Sequence, residues 1–240
     1  MTALTARAFP ATQRAHAPYC TTHGRGTPLL LIHDFGTSGE LFQPIIPMLA
    51  EHYYVIVPDL RGHGHSTRLP ATNNITQLTN DIANLLDLLN ISSSFVLGYG
   101  TGGAIAQQFA REHPNRIRGL VLTCSYARST RNIGEQLESR MRRGVQAVIG
   151  RNDGTNPNIR TRLAFDSRSW LRRLNCPTLV VSGEADTVAT VHNARELTKR
   201  ISRAQLQTVR GADHRLVKTH SEDLLNVVLP WLAEQENTAW

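Results

Sequence analysis

Short apolar runs of strand length alternate with stretches of helical spacing along most of the chain. The apolar runs predict strands at 29–32, 53–57, 95–97, 120–123, 177–183 and 206–209, with an edge strand at 19–22. Apolar positions three or four apart predict helices at 41–50, 78–89, 104–113, 191–201 and 224–232. Such alternation favours an α/β fold, a mostly parallel sheet with helices on both faces, over residues 1–240 as a single domain.

Residues 127–173 interrupt this alternation, as a short helical lid would. Two helices are predicted in this segment, at 133–149 and 159–172. It holds eleven arginines and four acidic residues, and so carries the whole net charge of +7. The charge could attract an anionic substrate, an acyl-carrier or other acidic protein, or a membrane surface, and a solvated Arg-rich face is the alternative. Few aromatic residues accompany the arginines, which argues against nucleic-acid binding.

Composition places the chain among cytoplasmic proteins. Three cysteines, an odd number without metal-ligand spacing, are expected to be reduced thiols. No apolar run reaches the length of a membrane span, and residues 1–20 lack the continuous apolar stretch of a secretory signal. We therefore expect no membrane partner, no metal and no cofactor, whereas the oligomeric state stays open.

A glycine-rich turn at 98–103, between a predicted strand and a predicted helix, fits two motifs. Gly98, Gly100 and Gly103 spell the dinucleotide fingerprint G-x-G-x-x-G. Alternatively, Gly98 and Gly102 flank residue 100 as in the nucleophile elbow G-x-S-x-G, with glycine in place of serine. A dinucleotide site needs an acidic residue about 20 positions further on. Residues 123–125 are Thr-Cys-Ser, so the elbow is favoured.

Six segments give the chain a family resemblance from about residue 15 to 233. In order they read Leu-Leu-Ile-His-Asp-Phe at 30–35, Val-Pro-Asp-Leu-Arg-Gly-His-Gly-His-Ser at 57–66, Leu-Gly-Tyr-Gly-Thr-Gly-Gly at 97–103, His-Pro-Asn-Arg-Ile-Arg-Gly-Leu-Val-Leu at 113–122, Val-Ser-Gly-Glu-Ala-Asp at 181–186 and Gly-Ala-Asp-His at 211–214. The order and spacing resemble those of the α/β-hydrolase fold. The resemblance implies that fold and a triad in the order nucleophile, acid, histidine.

Carried over by position, this triad becomes Gly100, Asp186 and His214. His214 resembles the general base, and Asp186 resembles the carboxylate that orients it, with Glu184 as a less favoured acid. The backbone N–H groups of Phe35 and Thr101 resemble the oxyanion hole, which main-chain donors can form whatever their side chains are.

Two departures from the family pattern concern the same place. Gly100 lacks the nucleophile, so we expect an empty position where an attacking oxygen would stand. His33-Asp34 replaces the family's usual His-Gly, so Asp34 is either a turn former or a carboxylate near the oxyanion hole. We also expect His33, Asp34, Tyr99 and Ser125 to line the pocket.

Substitute nucleophiles are disfavoured, because Thr101, Cys124 and Ser125 are each better explained by structure than by chemistry. The favoured function is an enzyme of the α/β-hydrolase type that acts on a small carbonyl or ester-type substrate, with anionic ones left open. His214 and Asp186 would activate water or abstract a substrate proton, as in a lyase, cyclase or decarboxylase. A catalytically inactive ligand-binding homologue and a serine hydrolase mutated at Gly100 are the alternatives.

Overall fold

The computed structural model describes residues 17–129 and 164–238, and one seven-stranded sheet organises them. The strand order is β1-β3-β2-β4-β5-β6-β7, with every neighbouring pair parallel except the antiparallel pair β1–β3. The predicted fold class, including the edge strand, is thereby confirmed. The strands are β1 Cys20–His23, β2 Thr27–Ile32, β3 Tyr53–Pro58, β4 Ser94–Tyr99, β5 Ile117–Thr123, β6 Thr178–Gly183 and β7 Ala204–Val209.

Helices cover both faces of the sheet because alternate strand residues point to opposite sides. Leu30 and Ile32 of β2 pack into one core with the second, third and fourth helices, and Leu29 and Leu31 pack into the other core with the first and last helices. The α-helices are α1 Ile46–Ala50, α2 Ile75–Leu88, α3 Thr101–Glu112, α4 Val191–Arg200, α5 Leu216–Thr219 and α6 Ser221–Asn237. Short 3₁₀ turns occur at Gly39–Phe42, Gly64–Ser66, Pro114–Arg116 and Leu171–Arg173.

Two helix predictions differ from the structure. The helix expected at 41–50 is divided into the 3₁₀ turn Gly39–Phe42 and α1, because Pro44 has no N–H to donate to a continuous helix. The helix expected at 159–172 is wrong in its described part, where residues 164–170 form a bridge and a turn. The helix expected at 133–149 lies outside the described residues.

The two ends of the segment between 129 and 164 are joined by backbone hydrogen bonds. Ser129 N–H donates to the Phe165 carbonyl at 3.0 Å, and Ser167 N–H donates to the Ala127 carbonyl at 2.8 Å. The Ser167 hydroxyl also donates to Gln107 of α3 at 2.8 Å. The chain therefore leaves and re-enters the sheet region at one place, while the lid with its Arg-rich surface stays a prediction.

The carboxyl ends of β2 to β7 lie along one edge of the sheet, since these strands run parallel. Asp34, Gly100, Cys124, Asp186 and His214 each follow one of these strands. Within the described ranges, no helix is both long and apolar enough to span a membrane.

Candidate active site

The turn between β4 and α3 is the place where the sequence predicts a nucleophile elbow. Gly100 is the residue before the helix, and its backbone lies in the left-handed region with φ +56°. A side chain in this conformation is strained, so glycine relieves a cost that an elbow serine bears. The N–H of Thr101, the first helical residue, points into the site.

The carboxylate of Asp34 occupies the space in front of Gly100. A Cβ atom placed on Gly100 would stand 2.4 Å from Asp34 Cγ and 2.6 Å from each carboxylate oxygen. One of these oxygens, Oδ1, accepts the N–H of Phe35 at 2.9 Å and the N–H of Thr101 at 2.7 Å. The two donors predicted for an oxyanion hole therefore converge on one atom, and that atom is an oxygen of the protein itself.

His214 links this carboxylate to a second one. Its Nδ1 lies 2.8 Å from Asp186 Oδ2, and its Nε2 lies 3.5 Å from Asp34 Oδ2. Asp186 is fixed by the loop after β6, because its other oxygen accepts the N–H groups of Val188 and Ala189 at 2.7 and 2.9 Å. The side chains of His214 and Asp34 are 21% and 18% exposed, whereas that of Asp186 is fully buried. The imidazole thus faces the open side of the site from a buried support.

The charges of this row are strongly coupled. Burial would lower the pKa of His214, but its bonds to Asp186 and Asp34 outweigh burial and raise the pKa to about 12. Burial likewise opposes ionisation of Asp34, yet His214 and the N–H of Thr101 hold the pKa of this carboxyl below its usual range. Both shifts favour an imidazolium at His214 beside an ionised Asp34 at neutral pH.

Comparison with known proteins identifies the fold family. The profile of the alpha/beta hydrolase fold matches residues 27–164, which is more than half of the chain. The chain belongs to the α/β-hydrolase family. It is 28% identical to a poly(3-hydroxyalkanoate) depolymerase of Ectopseudomonas oleovorans, over 89% of this chain and 87% of the relative.

Further similar proteins agree with this assignment. The chain is 23% identical to the pimeloyl-[acyl-carrier protein] methyl ester esterase of Chromobacterium violaceum, over 90% of this chain and 98% of the esterase. A thermophilic esterase from Thermogutta terrifontis superposes with a TM-score of 0.75 at 25% identity, covering 90% of this chain and 93% of that one. Two of these three proteins similar to this α/β-hydrolase family member are named as esterases.

The expectation of an empty position above Gly100 is wrong. Gly100, Asp186 and His214 do meet at one edge, but the Asp34 carboxylate lies where the nucleophile's side chain would begin. Asp34 is also a turn former, since its carbonyl accepts the N–H of Thr37 at 3.3 Å. Two features of the sequence indicate that the Asp34 carboxylate lies in front of residue 100. They are the aspartate in place of the usual glycine at position 34 and the glycine at position 100.

His33 has a structural role, because both of its ring nitrogens are bonded to the backbone. Its Nε2 accepts the N–H of Leu60 at 2.9 Å, so the proton is on Nδ1, which donates to the Asp34 carbonyl at 2.7 Å. Complete burial, aided by nearby His63, lowers the pKa of His33 to about 4. The neutral ring therefore anchors the backbone that aims the Asp34 carboxylate.

The other predicted pocket residues brace the same loops. Tyr99 donates its hydroxyl to the His214 carbonyl at 2.5 Å, and Ser125 donates to the Gly100 carbonyl at 2.8 Å. The Thr101 hydroxyl is paired with that of Tyr126 at 3.1 Å. Burial raises the pKa of the Cys124 thiol, which keeps it protonated. Cys124 contacts His214, but a protonated thiol is a poor nucleophile, and the Thr101 and Ser125 hydroxyls are bonded elsewhere.

One group of the described residues has the composition of a metal site. Ligand atoms of Cys124, Asp186 and His214 all lie within 4.8 Å of one another. The Asp186 carboxylate, however, already accepts two N–H groups and the imidazole. A metal here would have to replace the bond that orients His214, so these residues fit proton transfer better than metal binding.

Proposed function

We propose that this α/β-hydrolase acts without a serine nucleophile, by letting His214 activate water against an ester-type carbonyl group. The observation that carries the proposal is the placement of the Asp34 carboxyl group. One oxygen lies between the N–H groups of Phe35 and Thr101, and the other faces His214. An ester group that takes the same place would have its carbonyl oxygen between the two donors and its carbon open to water beside the imidazole.

Both parts of such a mechanism have known magnitudes. Removing one oxyanion donor from an enzyme typically costs about 10²–10³ in kcat. Enzymes that lose a triad residue keep about 10³–10⁴-fold catalysis from the donors and binding alone. The backbone donors at residues 35 and 101 and the His214–Asp186 pair can therefore contribute catalysis although residue 100 has no side chain.

The proton state of His214 must change during the reaction. The ring is an imidazolium while Asp34 is ionised beside it, because two carboxylates raise its pKa to about 12. When the Asp34 carboxylate moves away or loses its charge, Asp186 remains as the anion beside His214. The pKa of His214 then falls. The ring can then release its Nε2 proton and accept one from water.

A natural glycine at position 100 is favoured over a mutated serine. A serine there would bring Cβ to 2.4 Å from Asp34 Cγ, a distance at which one side chain must move. The observed position of the Asp34 side chain is therefore compatible with glycine at position 100 but not with serine. The same hydrogen bonds favour a second candidate function, an inactive homologue that binds a ligand without reaction. Asp34 already accepts both backbone N–H groups that a substrate oxygen would need.

Freeing the two donors tests the catalytic proposal. Asp34→Gly restores the family's His-Gly and should hydrolyse 4-nitrophenyl acetate at least about 100-fold faster than Asp34→Gly/His214→Gln, the usual size of a general-base contribution. Asp34→Gly/His65→Gln is the matched control, because His65 is an exposed histidine on a different aspartate. Equal rates in the variants with and without His214 would overturn the proposal in favour of the ligand-binding homologue.

A further inference from the structure

We propose that the Asp34 carboxylate is itself a nucleophile, which attacks a saturated carbon bearing a leaving group, such as an alkyl halide or an epoxide. The resulting ester on Asp34 is then the carbonyl group that His214-activated water cleaves. The inference rests on the proposed function, because it uses the same donors and the same water step. It names the substrate class and moves the nucleophile from the elbow to the loop after β2.

The two oxygens of Asp34 have different surroundings. Oδ1 is held by two backbone N–H groups at 2.9 and 2.7 Å, so it is fixed. Oδ2 faces His214 Nε2 at 3.5 Å, which is longer than a close hydrogen bond, and the Asp34 side chain is 18% exposed. Oδ2 is therefore the oxygen that can approach an electrophile, from a carboxyl group whose orientation is already set.

The occupied donors determine which electrophile suits this carboxylate. Attack on an acyl carbon creates a new oxyanion on the substrate, which would need the N–H groups that Asp34 Oδ1 already holds. Attack on a saturated carbon places charge only on the leaving group, so it needs no such donors. An alkyl halide or a strained epoxide meets this condition, whereas a neutral ester would first have to displace an ion-paired carboxylate.

The first step transfers an alkyl group. Oδ2 forms a bond to the substrate carbon while the carbon–halogen bond breaks, and halide leaves with the bonding electron pair. Asp34 becomes a neutral ester whose carbonyl oxygen is Oδ1, still between Phe35 N–H and Thr101 N–H. His214 thereby loses one of its two anionic neighbours and releases a proton, to solvent when halide leaves and to the alkoxide when an epoxide is opened.

The second step is hydrolysis of this ester. Water attacks Asp34 Cγ and gives a proton to His214 Nε2, while the negative charge develops on Oδ1 between its two donors. The tetrahedral adduct then expels the alkoxide from Oδ2, which takes the proton from His214 and leaves as an alcohol. The new carboxyl group gives its remaining proton to His214, so Asp34 regains a carboxylate that contains one oxygen from water and His214 regains its imidazolium. The balance is alkyl halide plus water to alcohol plus hydrogen halide, or epoxide plus water to diol, with no other reagent.

Glycine at position 100 is what allows this arrangement. A Cβ there would stand 2.6 Å from Oδ2, in the space that the attacking oxygen uses. The elbow thus contributes its N–H and its lack of a side chain, and the neighbouring loop contributes the nucleophile. We therefore interpret the two departures from the family pattern, glycine at residue 100 and aspartate at residue 34, as parts of one change.

Isotope transfer tests the proposal on the whole protein. With 1-bromohexane or 1,2-epoxyhexane in excess enzyme and H₂¹⁸O, one ¹⁸O should enter Asp34, located by fragmenting the tryptic peptide 26–61, while the alcohol stays unlabelled in the first turnover. His214→Gln should accumulate a hexyl or hydroxyhexyl ester on Asp34, Asp34→Asn should form no adduct, and His65→Gln should behave as the unmodified chain does.

Each other outcome counts against the nucleophile. Label in the alcohol instead of Asp34 would mean direct attack by water, and no turnover of either probe together with no adduct in His214→Gln would overturn the proposal. The 4-nitrophenyl acetate assay of Asp34→Gly does not use this carboxylate. Its result therefore judges the water step separately from the nucleophile.

Discussion

Two aspartates at the same edge of the sheet are built alike. Asp34 follows β2 and Asp59 follows β3, and each carboxylate accepts two backbone N–H groups and contacts one histidine ring. Each also faces a glycine with positive φ. A Cβ on Gly64 would stand 2.3 Å from Asp59 Oδ2, much as one on Gly100 would meet Asp34. Because the two sites share this arrangement, the differences between them indicate what distinguishes a structural carboxylate from the one that we propose to be reactive.

The differences concern the second oxygen and the histidine. In Asp59 both oxygens accept backbone N–H groups, from Gly39 at 2.7 Å and from His65 at 2.7 Å, and its side chain is only 6% exposed. In Asp34 both N–H groups go to one oxygen, which leaves the other facing an imidazole. The His65 side chain is 66% exposed, whereas His214 is backed by a buried carboxylate.

A buried carboxylate with both oxygens on the main chain is a structural clamp. When both backbone donors bind one oxygen and a second carboxylate lies behind the histidine, the same parts form the row that we propose to be reactive.

Serine at either glycine should cost the most. We expect Gly100→Ser to lower the free energy of unfolding by about 2–4 kcal/mol, because the new Cβ expels the Asp34 carboxylate and a side chain is forced into positive φ. Gly64→Ser should cost about as much, since Asp59 is approached as closely. Urea unfolding of both variants measures the two losses.

A second substitution at the neighbouring aspartate should restore stability to only one of these two serine variants. Asp34→Gly should restore most of the stability lost in Gly100→Ser, since it removes the obstructing carboxylate, and the double variant should give a burst of aryl-ester cleavage. Both changes leave two N–H groups without their acceptor, but the Asp59 side chain is only 6% exposed against 18% for Asp34. Water can therefore replace the carboxylate less well at residue 59, and Asp59→Gly should not rescue Gly64→Ser. Equal rescue at both sites would erase the difference between clamp and reactive row.

Asparagine should be tolerated at residue 34 but not at residue 59. In Asp34→Asn the amide oxygen can still accept both N–H groups while its NH₂ donates to a neutral His214, so we expect a loss of about 1 kcal/mol or less. In Asp59→Asn the NH₂ must face a backbone N–H whichever way the amide turns. That variant should lose about 2–3 kcal/mol in urea unfolding. The reverse ranking would contradict the assignment of Asp59 as the clamp.

Stability should depend on pH through His214. Its folded pKa of about 12 lies above the ordinary 6.5, so its contribution is complete below 6.5 and declines as pH rises towards 12. The stability advantage of the unmodified chain over His214→Gln should therefore shrink between pH 7 and pH 10, by at most about 1.4 kcal/mol per pH unit. In an Asp34→Asn background the decline should end at lower pH, because one anionic neighbour is gone. A constant difference across this range would contradict the charged row.

Much of the fold followed from the sequence because it depends on local patterns. The alternation of strands and helices and the meeting of Gly100, Asp186 and His214 at one edge could be predicted, since each residue follows a strand and parallel strands share an edge. The helix predicted at 41–50 is wrong for an equally local reason, the proline at 44, which interrupts it.

The position of the Asp34 side chain could not be derived in the same way. Local rules make Asp34 a turn former, and its carbonyl does close a turn. Where its carboxylate points depends on the N–H of Thr101, which is 67 residues away, and on the absence of a Cβ at residue 100. A substitution at one position had to be read together with a substitution at another, across two loops that only the fold brings together.

The smallest effect should come from the histidine of the clamp. His65 contacts Asp59 through its ring at 3.2 Å, but its backbone N–H makes the closer bond at 2.7 Å, which His65→Gln retains. Because the ring is largely exposed, we expect a stability loss below about 0.5 kcal/mol in urea unfolding and unchanged ester or alkyl turnover. His214→Gln, the matched change on Asp34, should abolish turnover of the same substrates. If His65→Gln instead reduced turnover as much as His214→Gln does, the edge of the sheet would act as one connected charge network, and the clamp would be part of the reactive site.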